Sequence, residues 1–382
     1  MQDFTFDWKT KIIFGKKSEE KVFDEIKKYS KILVHYGSDR IVRSGLYGKI
    51  IKSLENGFDI IELPGVKPNA RLSLVREGIE ICQKNKADFI LAIGGGSVID
   101  SAKAIAMGAY YSGDVWDLME GADGLGRVIP LGAVVTLSGA GSETSQYTVI
   151  TNEEKKLKKG FGSDRIRPRF AILNPELTYT VPPYHTACGI VDILSHMLER
   201  YFGQVDHPDI NDIFIETSCK AVMDNALILN RDPKNYVARS EVMWISTIAQ
   251  NDFMGLGRKS DFEMHKIEHE LSAFYDISHG AGLAVVMPAW MEYVFSNDKK
   301  RFNKLFASVL EGYGPQEGNI LEGIEELKNF FKKINMPVSL SEMDITDEKF
   351  EEIAGRCTDS GKIGKTMSLG HQDIINILNL AR

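Results

Sequence analysis

Cysteine is scarce in this chain. Four occur in 382 residues, at Cys82, Cys188, Cys219 and Cys357, and none sits in a CxxC pair. That usage excludes a disulfide frame and a thiolate zinc site as organising features. The four are expected to be small buried apolar side chains. No apolar run approaches the roughly 20 residues of a membrane span. The opening "MQDFTFDWKTKIIFGKKSEE" lacks the apolar region of a signal peptide, so the cytoplasm is the expected compartment. A basic excess is missing too. The 46 Lys and Arg face 53 Asp and Glu, a formal net charge of −7. With no basic stripe, nucleic acid is not the expected main partner. Internal repeats and low-complexity linkers are also absent.

What remains is 43% hydrophobic and 26% charged, enough for a large globular core. The length suggests two domains. Up to about residue 180, short β-rich runs alternate with amphipathic stretches. The runs are "KILVHY" (31–36), "FDIIEL" (58–63), "DFILAI" (88–93), "IPLGAVVT" (129–136) and "RFAIL" (169–173). This alternation predicts a parallel sheet with helices on both faces and ligands outside the carboxyl ends of its strands. Beyond "VPP" (181–183) the apolar spacing turns helical. Helices are predicted over 184–202, 209–230, 235–254, 260–275, 280–296, 298–312, 317–334 and 369–381. The expected fold class is an α/β domain with a Rossmann-like parallel sheet, 1–180, followed by an all-α domain, 181–382.

Two glycine loops carry chemistry. In "DFILAIGGGSVIDSAKAIAMG", a strand leads through Gly94, Gly95 and Gly96 into a helix, with Ser97 where a cap would sit. Glycines admit close approach, and the helix amino terminus suits a phosphate. "TLSGAGSET" (136–144) follows another strand-like run and could line the same crevice. "VHYGSDRIVRSG" after the first of these strands is not GxGxxG. There Asp39 suits a ribose and repels a 2′-phosphate, whereas the neighbouring Arg40 could bind that phosphate.

"GIVDILSHMLERYF" places Asp192 and His196 four apart on one helix face, and His265 and His269 in "HKIEHELSAFYDISH" repeat that spacing before His279. One carboxylate and three neutral imidazoles suit Zn²⁺ or Fe²⁺. Spacing does not rank His265 against His269. "HKIEH" also matches H-x-x-E-H, the inverted zinc-peptidase motif, with Glu268 as candidate base.

Taken together, "GGGSVIDSAKA", "GSETSQYTVIT", "DILSH" and "HKIEHELSAFYDISHGAGLAVVMPA" resemble the iron-containing (group III) alcohol dehydrogenases, particularly their butanol dehydrogenase and aldehyde reductase branch. The likeness runs nearly end to end. It implies a nucleotide domain, a helical metal domain and a cleft. It implies Asp192, His196, His265 and His279 as ligands of one divalent metal, with His269 lining the cleft as a proton relay. It implies NAD(P)(H) on Gly37, Ser38, Asp39, Arg40, Gly95, Gly96, Ser97, Asp100, Thr136, Leu137, Ser142 and Lys158. Leu137 and Ala140 stand where other members carry threonine, and Tyr147 where some carry asparagine. The activity implied is reversible hydride transfer between a primary alcohol or aldehyde, such as butanol or butanal, and NAD(P)(H). A dehydroquinate-synthase-like lyase and a zinc peptidase are the alternatives. A homodimer is the expected assembly.

Overall fold

The computed structural model describes residues 2–37, 39–55, 57–204, 209–260, 262–313 and 319–382. Its contacts divide the chain into two compact units, Asp7–Pro182 and the residues from Pro183 onward, the latter joined by the first few residues. Gln2 donates its N–H to the Gly257 carbonyl, and the Phe6 ring lies 6.1 Å from that of Phe253.

The first unit holds strands β1 (Lys11–Phe14), β2 (Lys31–Tyr36), β3 (Asp59–Leu63), β4 (Phe89–Gly94), β5 (Leu131–Val135), β6 (Tyr147–Asn152), β7 (Leu157–Gly162) and β8 (Phe170–Leu173). Six of them form one parallel sheet in the order β1-β8-β5-β4-β2-β3. β6 and β7 form a separate antiparallel hairpin. The five runs read from sequence are β2, β3, β4, β5 and β8. The short β1 and the hairpin were not legible. The hairpin sequence, "YTVITNEEKKLKKG", mixes lysine and glycine into the second strand and gives no clean alternation.

β4 and β5 are buried at every residue, as strands covered on both faces must be. Counting helices of eight residues or more, this unit contributes α1 (Leu46–Leu54), α2 (Leu72–Asn85) and α3 (Gly96–Gly108). On one sheet face, Ile32, Val34 and Tyr36 pack with Ile50 and Leu54 of α1. On the other, His35 binds Ser101 of α3 through Nε2 at 2.8 Å. Successive residues of a strand point oppositely, so the helices lie on both faces. The chain moves outward from β2 to β3 and returns beyond β2 to β4. The loops after β2 and β4 therefore flank the switch in strand order, where such sheets bind ligands.

The second unit is helical: α4 (Pro183–Tyr201), α5 (Ile210–Arg231), α6 (Tyr236–Gln250), α7 (Glu263–Tyr275), α8 (His279–Val294), α9 (Lys299–Val309), α10 (Ile320–Lys333), α11 (Phe350–Cys357) and α12 (His371–Leu380). All but α11 match the predicted spans within a few residues. α11 is two turns of "FEEIAGRC", too short for a periodicity signal. One apolar core joins these helices, with Trp290 and Phe302 fully or almost fully buried.

Candidate functional site

Two helices and the start of a third bring acid and imidazole together. Asp192, His196 and Glu199 sit on α4 at spacings of four and three, so they share a face. His265, Glu268, His269 and Ser272 share a face of α7 in the same way. His279 opens α8 after the chain leaves α7 through Asp276, which adopts a left-handed conformation.

The donors converge on one carboxylate oxygen. Asp192 Oδ1 lies 3.6 Å from His196 Nδ1 and 3.7 Å from Nε2 of both His265 and His279. The donor atoms of Asp192, His265 and His279 lie within 4.8 Å of one another. Asp192 Oδ1, His196 Nδ1 and His265 Nε2 are buried without a hydrogen-bond partner. Unsatisfied buried polar atoms are rare and call for a ligand. The set fits a divalent cation with nitrogen and carboxylate preference. His279, with a quarter of its side chain exposed, marks the more open side.

Each of two histidines is held from behind by a carboxylate. His265 Nδ1 bonds Glu199 Oε2 at 2.8 Å, and Glu199 Oε1 also accepts the His265 backbone N–H at 3.1 Å. His279 Nδ1 bonds Glu268 Oε2, and Ser272 donates to Glu268 Oε1. Such partners fix ring orientation and leave Nε2 as the metal-facing atom. Burial alone would raise the Asp192 carboxyl, but the three surrounding histidines hold it well below the usual range. Burial drives His196 well below its ordinary value against the pull of Asp192. For His265, Glu199 and Asp192 outweigh burial and raise it to about 9.

Sequence reading missed Glu199 altogether and gave Glu268 another task. The signal was present: Glu199 continues the Asp192/His196 face by one turn. Both Glu268 oxygens are engaged by Ser272 and His279, so the residue is not free to serve as a peptidase base. His269 is half-buried, its ring 6.1 Å from His265 and 5.4 Å from His279.

α8 reaches this place because two glycines let it. A β-carbon on Gly280 would lie 2.1 Å from the Cys188 carbonyl oxygen on α4. One on Gly282 would lie 2.8 Å from Glu268 Cγ on α7.

In the α/β unit, Gly94 and Val135 are paired in register, so the two glycine loops leave the sheet side by side. They also touch. A β-carbon on Gly96 would sit 2.6 Å from Ala140 Cβ, and one on Gly95 would sit 3.1 Å from Leu137 Cβ. The helix cap is Gly95, not Ser97, which is the second residue of α3. No side chain caps this end. A serine at position 95 would supply its own oxygen to the first-turn N–H groups, whereas glycine leaves them for an anion.

Thr136 Oγ1 is buried without a hydrogen-bond partner. Lys158 Nζ donates to Asn69 Oδ1 at 3.2 Å. Asp100 and Ser142 are bonded to each other at 2.5 Å. Gly37 accepts the Gly65 N–H at 3.1 Å. Asp39 is exposed, 3.6 Å from Arg43, while half-buried Arg40 donates to the Thr180 carbonyl at 3.4 Å. Ser38 lies outside the described residues.

Comparison with known proteins shows the family. Residues 9–175 match the family model "Iron-containing alcohol dehydrogenase", and residues 186–381 match "Fe-containing alcohol dehydrogenase family, C-terminal". The chain is 41% identical over 383 residues to "Probable NADH-dependent butanol dehydrogenase 1" of Bacillus subtilis, covering 99% of each. It is 30% identical over 374 residues to an "NADPH-dependent aldehyde reductase" of Escherichia coli, covering 94% of each. The crystal structure of "NADH-dependent butanol dehydrogenase A" from Thermotoga maritima superposes with a TM-score of 0.95 at 39% identity, covering 100% of this chain and 99% of that one. The chain belongs to the iron-containing alcohol dehydrogenase family.

Proposed function

We propose that this protein is a metal-dependent alcohol dehydrogenase and aldehyde reductase that interconverts primary alcohols and aldehydes, butanol and butanal among them, with NADH as its preferred cofactor. The observation that carries this reading is the convergence of three buried, unpartnered donor atoms: Asp192 Oδ1, His196 Nδ1 and His265 Nε2. With His279 Nε2 they form the ligand set, suited to iron or zinc. A divalent ion there supplies Lewis acidity toward the substrate oxygen, and the nicotinamide gives or takes the hydride.

The chain's own side chains do the rest. Glu199 and Glu268 hold His265 and His279 by Nδ1, so that Nε2 faces Asp192. Half-buried His269 carries the proton between substrate and solvent; imidazole suits that task near neutral pH. The uncapped first turn of α3, with Gly95, Gly96 and Ser97, receives the pyrophosphate. Thr136, Leu137 and Lys158 line the same dinucleotide, as do Gly37, Asp39 and Arg40. Exposed Asp39 repels a 2′-phosphate, and Arg40 is engaged with Thr180, which supports NADH over NADPH. The lyase alternative needs a Lys and Arg cluster, but the groups holding these imidazoles are carboxylates. A cytoplasmic homodimer completes the reading, with light scattering of the purified protein as the check on its assembly.

The test is the absorbance of reduced nicotinamide with butanal in metal-loaded protein. His265→Ala and His279→Ala are expected to lose metal and activity together. His269→Ala is expected to keep metal and lose rate. A His269→Ala protein that comes out metal-free while His265→Ala stays loaded would invert the ligand assignment.

A further inference from the structure

Lys103 lies on α3 and is fully buried, and no step proposed above uses it. Its Nζ donates to Ser142 Oγ at 2.8 Å and to the Tyr147 carbonyl at 2.6 Å. Ser142 Oγ donates in turn to Asp100 Oδ1 at 2.5 Å. The other Asp100 oxygen accepts the Val149 N–H at 3.1 Å, and Thr148 Oγ1 donates to the Asp100 carbonyl at 2.8 Å. A serine hydroxyl carries one hydrogen, and that of Ser142 is committed to Asp100. Ser142 and Asp100 therefore face each other and Lys103.

An ammonium in such a place is costly to desolvate, and an apolar side chain would fill the volume more cheaply. What the lysine adds is reach and three donors. It ties the loop after β5, and the start of β6, to the helix that follows the first glycine loop. Those two loops are already in contact through Gly96 and Ala140 and through the Thr136 N–H, which bonds the Gly94 carbonyl at 3.0 Å.

We propose that Lys103 is a positioning residue: through Ser142 and Asp100 it clasps the 136–146 loop to α3 and thereby shapes the dinucleotide site without touching the dinucleotide. This rests on the reading of the unit as an NADH-binding one. It also moves Ser142 and Asp100 from direct cofactor contacts to members of the clasp.

The experiment measures NADH affinity by nicotinamide fluorescence in metal-loaded wild type, Lys103→Met, Ser142→Ala and the double variant. Metal content, unfolding temperature and KM for butanal are recorded alongside. Each single variant is expected to weaken NADH binding by at least about tenfold, with metal content and KM for butanal unchanged. The double variant is expected to be no worse than the weaker single, because both break one clasp. Should Lys103→Met fail to fold, Asp100→Asn with Lys103→Met removes both charges together and is expected to show the same tenfold loss. Wild-type NADH affinity in the Lys103 variants, or losses that multiply in the double variant, overturns the clasp. Absence of NADH binding in the wild type overturns the underlying reading as well.

Discussion

Replacing Gly280 by alanine should empty the metal site from outside it. The added β-carbon would lie 2.1 Å from the Cys188 carbonyl oxygen and 2.6 Å from its carbonyl carbon and Cα. These are backbone atoms of α4 and have no rotamer to escape into. The gap falls short of ordinary van der Waals contact by more than an ångström, so α4 and α8 must separate. Cys188 stands one turn before Asp192, and Gly280 follows His279. The separation therefore falls on the 3.7 Å between Asp192 Oδ1 and His279 Nε2. Functional geometry tolerates about 0.5 Å, and a misplacement of about 1 Å can cost about 10²-fold in rate. Overpacking costs about 1–3 kcal/mol, partly offset by the roughly 1 kcal/mol that alanine gains over glycine in a helix. The expected result is a folded protein with much lower metal content, about 10²-fold less butanal reduction and unchanged NADH binding. Gly48 on α1 has nothing within 4 Å of its added carbon, and Gly48→Ala is the silent control. Full metal occupancy and rate in Gly280→Ala would refute the claim that this helix crossing sets the site.

Other outcomes follow from particular contacts. Glu199→Gln and Glu268→Gln should each weaken metal affinity by about 10–100-fold, read by competition with a chelator; unchanged affinity would mean that the two carboxylates do not orient the ligands. His35 is fully buried, bonded to the Leu63 carbonyl and Ser101, and burial lowers its pKa from 6.5 to about 4. The unfolded chain binds the extra proton between those values, so this stability is complete above about pH 6.5 and is lost as pH falls toward 4. The contribution is about 3 kcal/mol. His35→Gln should flatten that segment of the stability profile, measured by urea unfolding across the range; parallel profiles for both proteins would contradict the assignment. Asp39→Gly should let NADPH compete with NADH, read as the ratio of their kcat/KM values.

Local pattern carried much of this protein's description. The runs at 31–36 and 88–93 declared strands because short β-rich runs alternate there with amphipathic stretches, and the helical half declared itself through period. Asp192/His196 and His265/His269 stood out because four residues make about one turn. β1 and the β6–β7 hairpin stayed silent, being too short or too mixed in composition to rise above turns. Ser97 resembled a cap because serine is a good one, yet the cap lies two residues earlier, on Gly95.

Residue types and spacing by themselves determined that this chain would place acid and imidazole on helix faces and glycines after strands. Only tertiary structure decided which imidazoles meet, because His265 and His269 present the same spacing and differ only in what lies opposite. Asp192 faces the first, and Glu199 fixes it from behind. Contacts between residues distant in the chain made that choice, and a periodicity of one turn holds no record of them.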